Sequence, residues 1–182
     1  ISQLGADVLG LLDAAGARRA AVVGHDWGAA VTWWLAAHHP ERVARAAVLN
    51  VPHPAVLGQA LRRAPRQLLK SWYIFFFQLP WLPERLFRRG RFRFGPGALT
   101  AMINWYRAAA RVPRHTGRIG RVRVPLRLLW GRQDAFLEPE LAKLSLQYCD
   151  QAELTFFPQA THWVQHEEAE SVNQLLLEFL RQ

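Results

Sequence analysis

The sequence predicts an α/β fold: a parallel sheet covered by helices, with a helical insertion lying over it. Three observations carry this. Short apolar runs alternate with longer segments of helical period. Those runs are continuous rather than alternating, which fits strands that are dry on both faces. Finally, from His53 to Gly120 no clear strand is visible, and the stretch is rich in aromatic residues and arginine.

Ile1 to Ala15 has helical period, with Leu4, Val8, Leu11 and Leu12 on one face, and Gly16 ends it. Arg18 to Gly24 is the first strand. Trp27 to His38 is a helix, stopped at His39-Pro40 because the residue before a proline is pushed out of the helical region. Val43 to Val51 is a second buried strand. Pro52, Pro54, Pro65, Pro80 and Pro83 then break the rhythm, with helical segments near Ala55–Leu61, Pro65–Gln78 and Ala98–Arg111. Leu126 to Trp130 is a strand and Glu138 to Tyr148 a helix. Glu153 to Phe157 is the last strand, and Glu167 to Leu180 the closing helix. The core is therefore expected in residues 1–52 and 121–182, around an insertion at 53–120. There are no internal repeats.

A length of 182 residues fits one domain with a sizeable core. The chain opens on Ile1, inside what reads as a helix, so a fragment or a processed chain is expected. The single cysteine, Cys149, excludes an internal disulfide framework. The richest apolar run, Trp72 to Phe77, is too short for a membrane span. With no signal peptide visible, a cytoplasmic location is expected.

The net charge of +9 is carried almost wholly by arginine, since Lys70 and Lys143 are the only lysines. Arg85, Arg88, Arg89, Arg91 and Arg93 cluster with Phe87, Phe92 and Phe94. Such a cluster suits nucleic acid or an anionic membrane, but no nucleic-acid motif accompanies it. It reads as a solvated helix face and loop, and no nucleic-acid partner is expected.

The chemistry concentrates after the first strand. Ala20 to Val23 leads into Gly24-His25-Asp26-Trp27-Gly28 and at once into a helix. Small residues two before and two after a central side chain make a nucleophile elbow, here with a carboxylate where a serine would stand. The glycines admit close backbone approach, and the helix N-terminus favours negative charge. A carboxylate is a poor acyl nucleophile, but it opens epoxides or displaces halide at saturated carbon. The alkyl ester so formed must then be cleaved by water. The plain alternative is an aspartate capping the helix. Two further strand-end loops carry Asp134 and His162. Ligands bind beyond the carboxyl ends of such strands, and nucleophile, acid, histidine is the chain order of α/β-hydrolases.

With these residues in view, the sequence resembles the α/β-hydrolase-fold epoxide hydrolases, over essentially its whole length. The resemblance rests on Gly24-His25-Asp26-Trp27-Gly28, Trp130-Gly131-Arg132-Gln133-Asp134 and Thr161-His162-Trp163. Haloalkane dehalogenases share much of the first segment. Tyr73 and Tyr106 fall where epoxide hydrolases carry two cap tyrosines. The resemblance implies the C-terminal part of an α/β-hydrolase fold with a helical cap. It implies that Asp26 attacks an epoxide carbon while Tyr73 and Tyr106 hydrogen-bond the oxygen and one protonates it. His162, oriented by Asp134, then activates the hydrolytic water. The Trp27 N–H would help hold the oxyanion, with its indole in the pocket wall. The substrate implied is a small apolar epoxide, with water and no cofactor or metal. His25, His53 and His166 are expected to be structural or exposed.

Two departures stand out. The family's N-terminal half, with a His-Gly-x-Pro loop supplying a second oxyanion donor, is absent from this sequence. The cap is also short, with Arg88 to Pro96 standing where the family carries one or two more helices. Such a chain is expected to alkylate and stall, or not to fold. Its unpaired sheet edge and apolar faces invite aggregation or a homodimer. A haloalkane dehalogenase and a non-catalytic remnant that binds through its aromatic, arginine-rich cap are the competing readings.

Overall fold

The structure, a computed structural model, describes residues 1–88, 95, 97–111 and 119–182. Strands β1 (Ala20–His25), β2 (Val43–Leu49), β3 (Leu126–Gly131) and β4 (Ala152–Phe157) form one parallel sheet in the order β1-β2-β3-β4. Gly24, Val48, Leu128 and Leu154 lie in register across it, so all four carboxyl ends meet along one edge. The inner strands are apolar apart from Arg45 and Arg127 because both of their faces are covered. Leu128 packs into a cluster with Trp33, Val56 and Leu141, while its neighbour Leu129 points the other way, to Phe157 and Val172. β1 is an edge strand, and Val23 on it is 44% exposed.

Helix α1 (Ser2–Ala14) packs on α2 (Trp27–His38), which crosses β1 and β2. α2 is apolar almost all round, so it is buried, with Trp33, Leu35 and Ala36 inaccessible. The segment between β2 and β3 carries α3 (Pro54–Arg63), α4 (Pro65–Lys70), α5 (Trp72–Phe76), α6 (Leu82–Arg88) and α7 (Ala98–Arg111). After β3 come α8 (Glu140–Ser145), a 3-10 turn (Leu146–Tyr148), β4, α9 (Val164–Glu167) and α10 (Ala169–Arg181).

Several boundaries differ from the sequence reading. The helix expected over Pro65–Gln78 breaks at Ser71, whose hydroxyl accepts a hydrogen bond from the Gln67 side chain. α6 was not anticipated; Pro83 sits in its first turn, where a missing N–H costs nothing. The segment expected over Glu138–Tyr148 shortens to α8 and the 3-10 turn, and the closing helix divides at Glu168. β1 starts at Ala20 rather than Arg18. β2 ends at Leu49 because Asn50, at φ 53, turns the chain. In the arginine cluster, Arg85 and Arg88 lie exposed on α6. Arg89, Arg91, Phe92, Arg93 and Phe94 lie outside the described residues, as does most of the Arg88–Pro96 bridge. Among the described residues no helix is long and apolar enough to cross a membrane.

Candidate active site

Four strand-end loops meet along the carboxyl edge. At the first, Asp26 sits at φ 51, ψ −124, a region that non-glycine residues rarely occupy. Its side chain makes no capping hydrogen bond to α2, so the capping alternative fails. Gly24 is required by contact: a Cβ there would lie 2.4 Å from both the Gly28 carbonyl oxygen and the Thr32 hydroxyl. Gly28 departs from expectation. It is exposed, and a Cβ on it would meet no atom within 4 Å.

The loop after β3 carries Asp134, 2% exposed. Its Oδ1 accepts the N–H groups of Phe136 (2.7 Å) and Leu137 (3.0 Å), which folds the loop around the carboxylate. Its Oδ2 accepts from His162 Nδ1 (2.8 Å) and from Asn50 Nδ2 (2.7 Å). Gly131 is the second glycine that contact demands, since a Cβ would come 2.0 Å from the Thr161 carbonyl oxygen. The histidine loop is held by Glu167, which accepts from the Thr161 N–H and hydroxyl at 2.6 Å each. With Nδ1 committed to Asp134, His162 directs Nε2 toward Asp26 Oδ1, 3.8 Å away. Asp26, His162 and Asp134 thus form one chain of facing groups.

Two residues without an expected role belong to this arrangement. Asn50, fully buried, accepts from the Gly131 N–H at 3.0 Å while donating to Asp134. It ties the end of β2 to the acid loop. The signal was a residue tolerant of positive φ directly after a strand. His25, expected to be structural or exposed, is half-buried beside the histidine loop. Its Nε2 donates to the His162 carbonyl oxygen at 2.8 Å, and its ring lies 4.7 Å from that of His162. Burial holds its pKa below the ordinary value. His53 is structural as expected, stacked on Tyr148 and held down at about 4 by burial. His166 is exposed.

Burial disfavours the charged form of His162, but its hydrogen bonding to the Asp134 and Asp26 carboxylates outweighs it and raises the pKa to about 9. Burial likewise pushes the Asp26 carboxyl up, and His162 more than reverses this, holding it below the usual range. The sign for stability follows. Between pH 6.5 and about 9 the folded chain keeps a proton that the unfolded chain has released. That contribution, roughly 3 kcal/mol, is complete below pH 6.5 and is lost as pH rises through about 9. Urea unfolding at these two limits is expected to show the loss in the parent chain and not in His162→Gln.

A cavity of about 370 Å³ opens above these groups. Asp26, His162, Tyr73 and Tyr106 all line it, with Trp72, Phe76, Phe77 and Phe136 supplying apolar wall. The two tyrosine rings meet edge to face at 5.7 Å. Burial first, then the charge of Asp26, lifts the Tyr106 phenol to about 12. Tyr73 is raised further, by burial and by its neighbour Tyr106. Arg107 fixes the helix of Tyr106 to that of Tyr73: it pairs with Glu84 at 2.6 Å and donates to the carbonyls of Phe77 and Leu79. Trp27 stands one layer back. Its indole packs against Tyr106 (5.1 Å) and Trp105 (5.5 Å) rather than forming the wall itself.

Comparison with known proteins agrees with this architecture. Residues 2–79 match the α/β hydrolase fold family. The Bacillus subtilis AB hydrolase superfamily protein YfhM is 38% identical, across 100% of this chain and 72% of its own length. Human epoxide hydrolase 4 is 33% identical, across 97% of this chain and 57% of its own. Among solved structures, an epoxide hydrolase from metagenomes of hot environments superimposes with a TM-score of 0.82 at 27% identity, over 98% of this chain and 73% of its own. The Bacillus megaterium epoxide hydrolase in complex with an inhibitor shares the fold, with a TM-score of 0.84 at 24% identity, over 98% of this chain and 75% of its own. The chain belongs to the α/β-hydrolase superfamily, and its similarity there is to epoxide hydrolases. It spans little more than half the length of the human relative.

Proposed function

We propose that the chain carries the hydrolytic centre of an epoxide hydrolase acting on a small apolar epoxide, with Asp26 as nucleophile. The observation that carries this is the convergence of Asp26, His162 and two tyrosines on one apolar cavity. In this reading the helices between β2 and β3 are the cap, and Asp26 stands at a nucleophile elbow.

The reaction divides into two steps. An Asp26 carboxylate oxygen attacks an epoxide carbon, the ring C–O bond breaks, and a tyrosine O–H protonates the departing oxygen. A phenol near 12 remains protonated at neutral pH, yet is a stronger acid than the alcohol it forms. Ester formation removes the charge of Asp26, one of the two carboxylates that keep His162 protonated. His162 then gives up its proton more readily and becomes a base at neutral pH. It takes a proton from water, which attacks the ester carbonyl, and returns it to the leaving alkoxide as the ester C–O bond breaks. The diol leaves with one oxygen from Asp26, and the tyrosine recovers its proton from the new carboxyl through solvent. The Trp27 N–H, which already favours the ionised Asp26, is placed to stabilise the oxyanion on that carboxyl.

Aromatic walls and the two tyrosines favour an epoxide over a haloalkane: a dehalogenase would hold the departing halide with the indole N–H of Trp27, and that indole packs against Trp105 and Tyr106 instead of lining the cavity. The test is the covalent adduct. Styrene oxide is expected to add one substrate mass to the chain, mapped to the peptide with Asp26, and to leave Asp26→Asn unmodified. No adduct under any condition would sink the proposal and favour a non-catalytic remnant.

A further inference from the structure

We propose that Gln67 and Lys70 of α4 are positioning residues that latch the loop of the acid Asp134 to the cap. This rests on the reading of Asp134 and His162 given above. Gln67 is fully buried, which a polar side chain tolerates only with its bonds filled. Its Nε2 donates to the Phe136 carbonyl oxygen at 2.8 Å, and its Oε1 accepts the Glu138 N–H at 2.9 Å. One turn later, Lys70 Nζ donates to the Asp134 carbonyl oxygen at 2.8 Å and pairs with the Glu138 carboxylate at 3.3 Å. Two residues of one helix therefore hold the loop at its start, middle and end.

The consequence is geometric coupling. The Asp134 carboxylate is bound at Oδ1 by its own loop, so a shift of the loop shifts the carboxylate against His162 Nδ1. The same α4 runs through Ser71 into α5, which carries Tyr73. The latch thus sets the cap tyrosine and the acid in one frame. Misplacement by about 1 Å far from the chemistry can cost on the order of a hundredfold in rate.

The discriminating readout is the titration of the His162 ring, followed by nitrogen-15 NMR in the full chain. Among the described residues, the charged and titratable groups facing His162 are Asp134, Asp26 and His25, with Tyr73 and Tyr106 on the same cavity, and those facing the latch are Lys70 and Glu138. Removing an ammonium acts through space to raise the pKa of a nearby imidazolium, and so does leaving Glu138 unpaired. Loosening the hold of Asp134 acts the other way. Lys70→Met is expected to lower the His162 pKa by about one unit, a tenfold fall in the ratio of protonated to neutral ring at fixed pH. Lys70→Arg should restore it, and Gln67→Met should move it as Lys70→Met does. Lys70 is partly exposed, so its variants decide the matter even if Gln67→Met does not fold. An unchanged or raised His162 pKa in folded Lys70→Met overturns the latch, as would a fall in melting temperature alone. The titration needs no turnover, so a chain that forms no adduct at Asp26 would defeat the functional reading without deciding this one.

Discussion

His162→Gln is expected to turn the chain into a trap that takes up one equivalent of epoxide and holds it. Attack by Asp26 needs an ionised carboxylate and a proton donor on the epoxide oxygen, and both remain in this variant. Loss of the neighbouring imidazolium lets the Asp26 pKa rise, since His162 is what holds it down against burial. A carboxylate 45% exposed at its side chain nevertheless stays ionised near neutrality. Cleavage of the ester, by contrast, loses the imidazole that faces Asp26. General-base assistance supplies typically 10²–10⁴-fold, so the ester should persist for at least a hundred times longer than in the parent. Intact-protein mass against time measures this directly. A parent that already accumulates adduct would place the deficit in the oxyanion donors, and His162→Gln would then slow its decay further. Equal decay in the two chains would remove His162 from the mechanism. Asp134→Asn should behave similarly for a different reason. Both carboxylate oxygens of Asp134 accept from two donors, and an amide NH₂ in either place meets donors instead.

How much of this was legible follows from what each feature depends on. The sheet was readable because β2 and β3 are largely covered on both faces and so print as apolar runs, each interrupted by a single arginine, Arg45 and Arg127. The convergence of Asp26, Asp134 and His162 was readable because each lies in a loop that leaves the carboxyl end of a strand, and parallel strands deliver those ends to one edge. Helix breaks inside the insertion were not, because the backbone keeps its helical hydrogen bond into Ser71 and no glycine or proline stands there to signal a break. Gly24 and Gly28 look equivalent in sequence, yet only Gly24 has backbone against it. Trp27 looked like pocket wall from its place beside the nucleophile, but the packing of Trp105 and Tyr106 sets it behind. Asn50, Lys70 and Gln67 were invisible because their roles are hydrogen bonds to loops 64 to 84 positions away in the chain. Arg107 vanished into an arginine-rich composition, although both ends of its guanidinium hold the Glu84 carboxylate.

Replacing both tyrosines should abolish the first step and leave the second untouched. Tyr73→Phe and Tyr106→Phe remove only hydroxyls, so the cavity keeps its apolar wall and the edge-to-face contact between the rings. Either phenol alone still offers one donor to the epoxide oxygen, and each single variant is expected to form adduct about ten to a hundred times more slowly. Without both, the alkoxide must leave unprotonated into an apolar site, and the loss should exceed about 10³-fold. An alkyl halide is the internal control, because halide departs without a proton. If the double variant is alkylated at Asp26 by the halide as fast as the parent, the nucleophile is intact and the lost groups acted on the epoxide oxygen alone. The pH profile gives a second check. With Tyr106 raised to about 12, adduct formation should stay level from neutrality to about pH 10, while ester cleavage should fall below neutrality, where His162 in the ester regains its proton. A fall in adduct formation near pH 10, where an unperturbed phenol ionises, would show that neither hydroxyl stands in the buried field of Asp26. Unaltered epoxide alkylation in the double variant would return the cavity to the haloalkane reading, with Asp26 still its nucleophile.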